Sequence, residues 1–352
     1  MAARTRRSGR SGRRGRIAGG LVPTLATLLM LAGTAACGDD SHDAGSTGLR
    51  GALDGVRDDA STRGWFEYGD TAAIAKANGG TATTGPYGAL LGTGYPDLAA
   101  MGPQVAPALG FDPAKTNEAW SAGRPPQQGG VIAGGFDKGA VVGKLKELGG
   151  KPDPTAASVY RLRADNELSF DDALARKLPS VVDHFNAVRV ADRQIGYGST
   201  LLGADLSRGG ARLGADPTAR ALAECLDRPL AAVLTDRAGG GEQPSGPRIA
   251  VGVTGKAGVP GTNVLCVARE SEQAARAEAD RLRGVFTGGE PTAQGVPWNA
   301  MLTDVRAEVV GTNVAKITAR SAGSVRTGVF VKALNDMSLA RIFAGGPPGR
   351  ES

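Results

Sequence analysis

The chain has 352 residues and a formal net charge of +6. This charge is unevenly spread, because residues 1–36 contain seven arginines and no acidic residue. The rest of the chain contains 34 basic and 35 acidic residues, so the basic excess is no argument for nucleic-acid binding. Two histidines and three cysteines exclude a His-rich metal site and a multi-disulfide scaffold.

The first 36 residues predict an export signal. Residues 1–16 are cationic, residues 17–36 carry no charge, and Thr34, Ala35 and Ala36 lead directly into Cys37. A cationic start, an apolar middle and a small-residue exit are typical of secretory signal peptides. The paired arginines leave the twin-arginine route open beside the general secretory one. The alternative is an uncleaved transmembrane anchor, for which the 20 residues from 17 to 36 suffice.

Cys37 follows small residues and precedes a polar, Gly-rich stretch over residues 38–46. This arrangement resembles the lipobox of bacterial lipoproteins, and the Ala-, Gly- and Arg-rich composition is similar to that of lipoproteins of high-GC actinomycetes. The resemblance covers residues 1–45 and carries no active site with it. It implies cleavage before Cys37 and acylation of its thiol with palmitate-type chains, and hence a lipid anchor on the outer face of the cell membrane. A chance cysteine in an ordinary signal peptide is the alternative.

The 316 residues from Cys37 onward predict two domains. Four segments are expected after the signal peptide: a flexible tether at 37–60, α+β domains at 61–215 and 216–345, and a loose tail at 346–352.

In the first domain, three aspartates in N-cap positions predict helix starts at Asp70, Asp112 and Asp137. The second of these helices is expected to run to Trp120, because Pro113 suits a first helical turn. Short apolar or alternating runs predict strands at 64–68, 131–133, 159–162, 186–190 and 194–197, the last two as a hairpin.

The second domain has stronger periodicity. Helices are predicted to begin at Asp216 and at Ser271, and a closing helix is predicted over residues 330–343. Strands are predicted at 230–234, 249–253, 264–267, 301–309 and 314–319. In the run 301–309, Val305, Ala307 and Val309 alternate with charged residues, which is typical of a half-buried strand.

Two passages share one pattern. A strand, a capped helix and a double glycine occur over residues 131–150 and again over 264–289, each followed by a hairpin and another helix. The prediction is an α+β fold of antiparallel sheets with packed helices, in which a β-α-β-β-α unit is used twice. The alternative is that small α+β units resemble one another without a repeat.

Cys225 and Cys266 are the cysteines outside the leader. Export would place both in an oxidising compartment, where paired thiols form disulfides. Two separate buried thiols are the alternative, because free cysteine packs as a small apolar residue.

His184 is the one histidine beyond the tether, with Asp183 and Asp192 close in sequence. No nucleophile motif accompanies it, so a structural role is expected and no catalytic residue is assigned. Trp65, Trp120 and Trp298 could line a ligand site, but core packing is the stronger expectation.

The sequence therefore indicates the location of the protein more clearly than its biochemical activity. We expect a membrane-anchored cell-envelope lipoprotein that binds an unidentified protein or small molecule, without a cofactor, a metal or nucleic acid. A solute-binding lipoprotein of a transporter and an envelope hydrolase built around His184 are the alternatives. A deep cleft between two domains would favour the solute-binding hypothesis.

Overall fold

The computed structural model describes residues 48–80, 85–156, 158–179, 183–241, 243–323 and 325–344. The predicted signal peptide, Cys37 and the predicted tail lie outside the described residues. Residues 48–54, within the stretch predicted as a tether, form helix α1, and Leu49 and Leu53 of this helix are buried.

The described strands have short, mostly apolar sequences, and all of them belong to one sheet. They are β1 (Phe66–Gly69), β2 (Thr116–Ala122), β3 (Gly129–Gly134), β4 (Lys151–Pro152), β5 (Val159–Arg161), β6 (Ala187–Val190), β7 (Gln194–Gly198), β8 (Ala231–Thr235), β9 (Ile249–Thr254), β10 (Thr262–Ala268), β11 (Leu302–Val310) and β12 (Val314–Ser321).

This sheet has 12 strands in the order β11-β12-β10-β9-β8-β1-β2-β3-β7-β6-β5-β4. Every neighbouring pair is antiparallel. The predicted α+β class, with an antiparallel sheet and packed helices, is confirmed.

The helices of the described residues are mostly short. They are α1 (Gly48–Asp54), α2 (Ala60–Gly64), α3 (Thr71–Ala77), α4 (Pro96–Met101), α5 (Val105–Leu109), α6 (Lys138–Glu147), α7 (Ala173–Lys177), α8 (Leu201–Ala204), α9 (Pro217–Leu226), α10 (Glu272–Thr287), α11 (Trp298–Met301), α12 (Val329–Asn335) and α13 (Ser338–Phe343).

Four predicted N-caps are confirmed. In each, the side-chain oxygen accepts a hydrogen bond from the backbone N–H three residues later, which satisfies a donor that has no partner inside the helix. The capping residues are Asp70, Asp137, Asp216 and Ser271.

The predicted helix from Asp112 to Trp120 is wrong. Asp112 caps only a 3-10 turn, Pro113–Lys115, and β2 begins at Thr116. β2 lies between β1 and β3, and its residues Ala119 to Ala122 are buried on both faces of the sheet. Pairing on both edges and burial on both faces override the local helix-start signal.

The predicted closing helix over residues 330–343 is two helices, α12 and α13. Met337 separates them with a backbone φ of 64°, in the left-handed region that ends a helix. Asp336 accepts a hydrogen bond from the N–H of Ser338, which fixes the start of α13.

The two halves of the chain share a strand order. In the first half it is β1-β2-β3-β7-β6, and in the second half it is β8-β9-β10-β12-β11. In each half a helix, α6 or α10, follows the third strand, and the second strand of a later hairpin, β7 or β12, pairs with that third strand. In the first half, β4 and β5 lie between the helix and this hairpin. This common order supports the predicted repeat. The repeated segment is longer than predicted, because it also includes the two strands that precede β3 and β10.

Helices cover both faces of the sheet. On one face, α1 and α9 bury Phe66, Trp120, Leu234 and neighbouring side chains. On the other face, α10 to α13 cover the second half and α4 to α7 cover the first half. Trp298, Phe286 and Phe330 pack together in the second-half core, with ring centroids 5.0 to 6.5 Å apart.

A disulfide joins Cys225 at the end of α9 to Cys266 in the middle of β10, with 6.2 Å between the Cα atoms. Both residues are buried. The bond therefore links α9 to the sheet face that this helix covers.

We expect removal of this disulfide to lower the free energy of unfolding by about 4 kcal/mol, because the bond closes a loop with a sequence separation of 41 residues. Chemical denaturation with and without reductant measures the loss. The double variant Cys225→Ala/Cys266→Ala should be destabilised and insensitive to reductant. Equal stability of the oxidised and reduced wild type would contradict the expectation.

Helix α8 lies directly on a glycine pair of the sheet. Gly198 of β7 pairs with Gly129 of β3, and a Cβ atom at Gly198 would lie 2.5 Å from the carbonyl carbon of Gly203 in α8. Real Cβ atoms do not approach backbone this closely, so the position needs glycine.

The variant Gly198→Ala should therefore lose about 1–3 kcal/mol of stability through overpacking. Gly143→Ala is the matched control, because Gly143 is exposed inside α6 with no atom near the position of a Cβ. Alanine there should raise stability by up to about 1 kcal/mol. Urea unfolding of both variants tests the pair, and a neutral Gly198→Ala would refute the close contact.

Candidate functional site

A cavity of about 680 Å³ is lined mainly by residues of the second half of the chain. Its volume lies within the range of small-molecule sites in proteins. Three segments form its walls: the turn at 88–90, the loop at 292–301 and the stretch 325–338 around α12. Eight apolar side chains line it: Ala89, Leu90, Val296, Met301, Val325, Val329, Val331 and Ala333.

Asn263 fixes the wall formed by α12. This side chain is fully buried in β10, and its Oδ1 accepts hydrogen bonds from the N–H groups of Gly328 and Val329 at 2.9 and 2.8 Å. Gly328 has a φ of 100°, a conformation open to glycine but not to most residues. The start of α12 is thus tied to the sheet rather than to a neighbouring loop.

The loop at 292–301 is fixed from both ends. The N–H of Ala293 donates to Oγ of Ser338 at 3.0 Å, and the Thr292 N–H donates to the carbonyl of Val296 at 2.9 Å. Trp298 at the other end is buried against Phe286. The turn between them leaves Val296 41% exposed at the cavity.

Tyr87 supports the third wall. Its hydroxyl donates to the carbonyl of Val259 at 2.6 Å, and its N–H donates to Oδ1 of Asn78 at 2.8 Å. Burial raises the pKa of the Tyr87 hydroxyl, so it stays a donor at neutral pH. Each wall is therefore held by hydrogen bonds or aromatic packing within the protein.

A second cavity, of about 670 Å³, is lined by Arg248, Arg269 and Arg281. Each of these arginines is already paired. Arg248 contacts Asp216 at 2.5 Å, and the other two contact Glu278 at 2.8 and 2.7 Å. Their charges are largely neutralised within the protein.

His184 lies between two carboxylates. Its Nε2 is 3.0 Å from Oδ2 of Asp97, and its Nδ1 is 2.6 Å from Oδ1 of Asp183 without the alignment of a hydrogen bond. Asp192, its other acidic neighbour in sequence, instead pairs with Lys138 at 2.9 Å. Gln128 donates to Asp97 at 3.3 Å and completes the cluster.

These contacts change the pKa of His184. Burial disfavours the charged form, but Asp97 and Asp183 outweigh it and raise the pKa of the imidazole. The hydrogen bond from His184 in turn lowers the pKa of Asp97. Both ring nitrogens of His184 therefore face acidic side chains.

Sequence reasoning missed the half-buried carboxyl of Glu67. Glu67 of β1 accepts a hydrogen bond from the N–H of Gly94 at 2.8 Å, and burial raises its pKa. The β-sheet register aligns Glu67 with Ser121, Gly130 and Tyr197 across four strands. A single acid between Phe66 and Tyr68 was the one available sequence signal.

The three tryptophans differ in position. Trp120 and Trp298 are buried in the core. Trp65 is partly buried, and the guanidinium of Arg124 lies 4.6 Å from its ring centroid. None of the three lines the 680 Å³ cavity.

Among the described residues, no His, Cys, Asp and Glu side chains are grouped so that three or more could hold a metal ion. Comparison of the chain with protein-family models, curated proteins and solved structures finds no match. The chemistry of the site must therefore be argued from its own residues.

The His184 cluster should make stability depend on pH. A histidine whose pKa is higher in the folded protein than in the unfolded chain stabilises the folded state. This stabilisation is fully present below the unfolded-state pKa of about 6.5 and is lost as the pH rises through the folded-state pKa. The free energy of unfolding should fall over that window in the wild type and should lack this slope in His184→Asn. His42→Asn, at the chain's other histidine, is the control. An identical slope in wild type and His184→Asn would exclude the ion cluster.

Proposed function

We propose that this protein is a lipid-anchored protein of the cell envelope that binds a small, largely apolar molecule and catalyses no reaction. The 680 Å³ cavity carries the proposal, because its lining is largely apolar and hydrogen bonds within the protein hold its walls.

Two features support the location. Cys37 resembles the acylated cysteine of bacterial lipoproteins, and the Cys225–Cys266 disulfide suits an oxidising compartment outside the cytoplasm. None of the helices in the described part of the chain combines the length and apolarity needed to cross a bilayer.

The position of the cavity bears on the alternatives. Most of its lining belongs to residues 292–338 of the second predicted domain, and Ala89 and Leu90 come from the first. A lining drawn mainly from one half of the chain favours a ligand-binding protein over a solute-binding protein with a cleft shared equally by two domains. The hydrolase hypothesis has less support, because both ring nitrogens of His184 face carboxylates.

An uncharged fluorescent probe, N-phenyl-1-naphthylamine, tests the proposal. The Cys37→Ser chain, which lacks the predicted acylation site, should bind the probe with a saturable curve. Val296→Trp should weaken this binding at least about tenfold by filling the cavity, while stability changes little because Val296 is 41% exposed.

Leu168→Trp is the matched control, because Leu168 is 59% exposed and does not line the cavity. It should bind the probe like the parent chain. Absence of saturable binding, or equal binding by Val296→Trp, would disprove the proposed function.

A further inference from the structure

We propose that the molecule bound in this cavity is an aliphatic chain with one anionic head group, and that Arg326 and Lys332 bind that head group. This inference rests on the proposed function and names the chemical class of its ligand. Three observations carry it.

First, two cationic side chains line the cavity next to apolar residues. Arg326 follows Val325 and Lys332 follows Val331, and all four line the cavity. Both cationic side chains belong to exposed residues. An anion at the mouth can therefore reach them while its apolar part lies against the valines.

Second, these cations have no acid of their own. Over the described ranges, neither Arg326 nor Lys332 forms an ion pair, whereas Arg248, Arg269 and Arg281 at the other cavity are all paired. Asp336 is the acidic residue lining the cavity, and it accepts a hydrogen bond from the N–H of Ser338 at 3.1 Å. The lining thus has an excess of one positive charge.

Third, two buried hydroxyl groups of the lining, those of Ser338 and Thr292, already have partners. Oγ of Ser338 accepts from the N–H of Ala293 at 3.0 Å, and Oγ1 of Thr292 accepts from the N–H of Val296 at 3.3 Å. A ligand that carried polar groups throughout its length would lose water there without full compensation. An apolar chain with a single charged end fits this distribution.

The head group is an anion because a charge-assisted hydrogen bond to Arg or Lys is stronger than a neutral one. Carboxylate and phosphate share this chemistry, so a free fatty acid and an acidic lipid are both possible sources. The test separates them.

The experiment compares ligands of equal chain length on the Cys37→Ser chain. Dodecanoate, dodecyl phosphate, dodecanol and dodecylammonium are titrated below their critical micelle concentrations, with displacement of N-phenyl-1-naphthylamine as the signal. At least one of the two anions should bind about tenfold more tightly than the alcohol, and the ammonium should bind most weakly. The anion that binds more tightly identifies the head group.

The double variant Arg326→Gln/Lys332→Gln should bind the anion no better than the alcohol, both measured against the saturation curve of this variant for the uncharged probe. The control Lys146→Gln/Arg306→Gln removes the same charge from two exposed residues outside the cavity and should keep the preference for the anion.

Equal affinity for anion, alcohol and ammonium, or a preference for the anion that survives in the double variant, overturns the inference. In either case, saturable binding of the uncharged probe leaves the proposed function intact. Failure of the uncharged probe to bind overturns the proposed function itself, and this inference with it.

Discussion

The antiparallel pairing of β1 with β8 is the contact on which the sheet depends. It joins the two halves through four residue pairs, from Phe66 opposite Leu234 to Gly69 opposite Ala231. β1 and β8 are each the first strand in the strand order of their half, and they pair antiparallel. The remaining strands of the two halves therefore lie on opposite sides of this pair. Helices α1 and α9 and the disulfide cover the same central region, so sequence-distant segments share one core.

Local signals predicted the fold where local chemistry decides it. The capping side chains of Asp70, Asp137 and Ser271 contact N–H groups only three residues away, so the sequence alone identified these helix starts. Asp112 and Pro113 gave the same signal, but pairing of β2 with β1 and β3 prevailed, and β1 lies far from it in sequence. The break at Met337 had no local signal, since methionine is rarely chosen for a left-handed conformation.

The candidate site was harder to predict than the fold. The sequence singled out His184, yet its main partner, Asp97, lies far earlier in the chain. The cavity was not predicted, because its walls combine a turn near residue 90 with two segments beyond residue 290. Side chains such as Val296 and Met301 carry no motif, and they become a site only through the folding that brings those segments together.

The central claim is that the cavity beside α12 holds an apolar chain, and covalent labelling tests it most directly. A dodecanoate analogue with a photoreactive diazirine near its methyl end would be irradiated with the Cys37→Ser chain, and the labelled peptides would be identified by mass spectrometry. The account predicts label on residues 292–301 or 325–338, suppressed by excess unmodified ligand. Competed label confined to residues outside 88–90, 292–301 and 325–338 would contradict it.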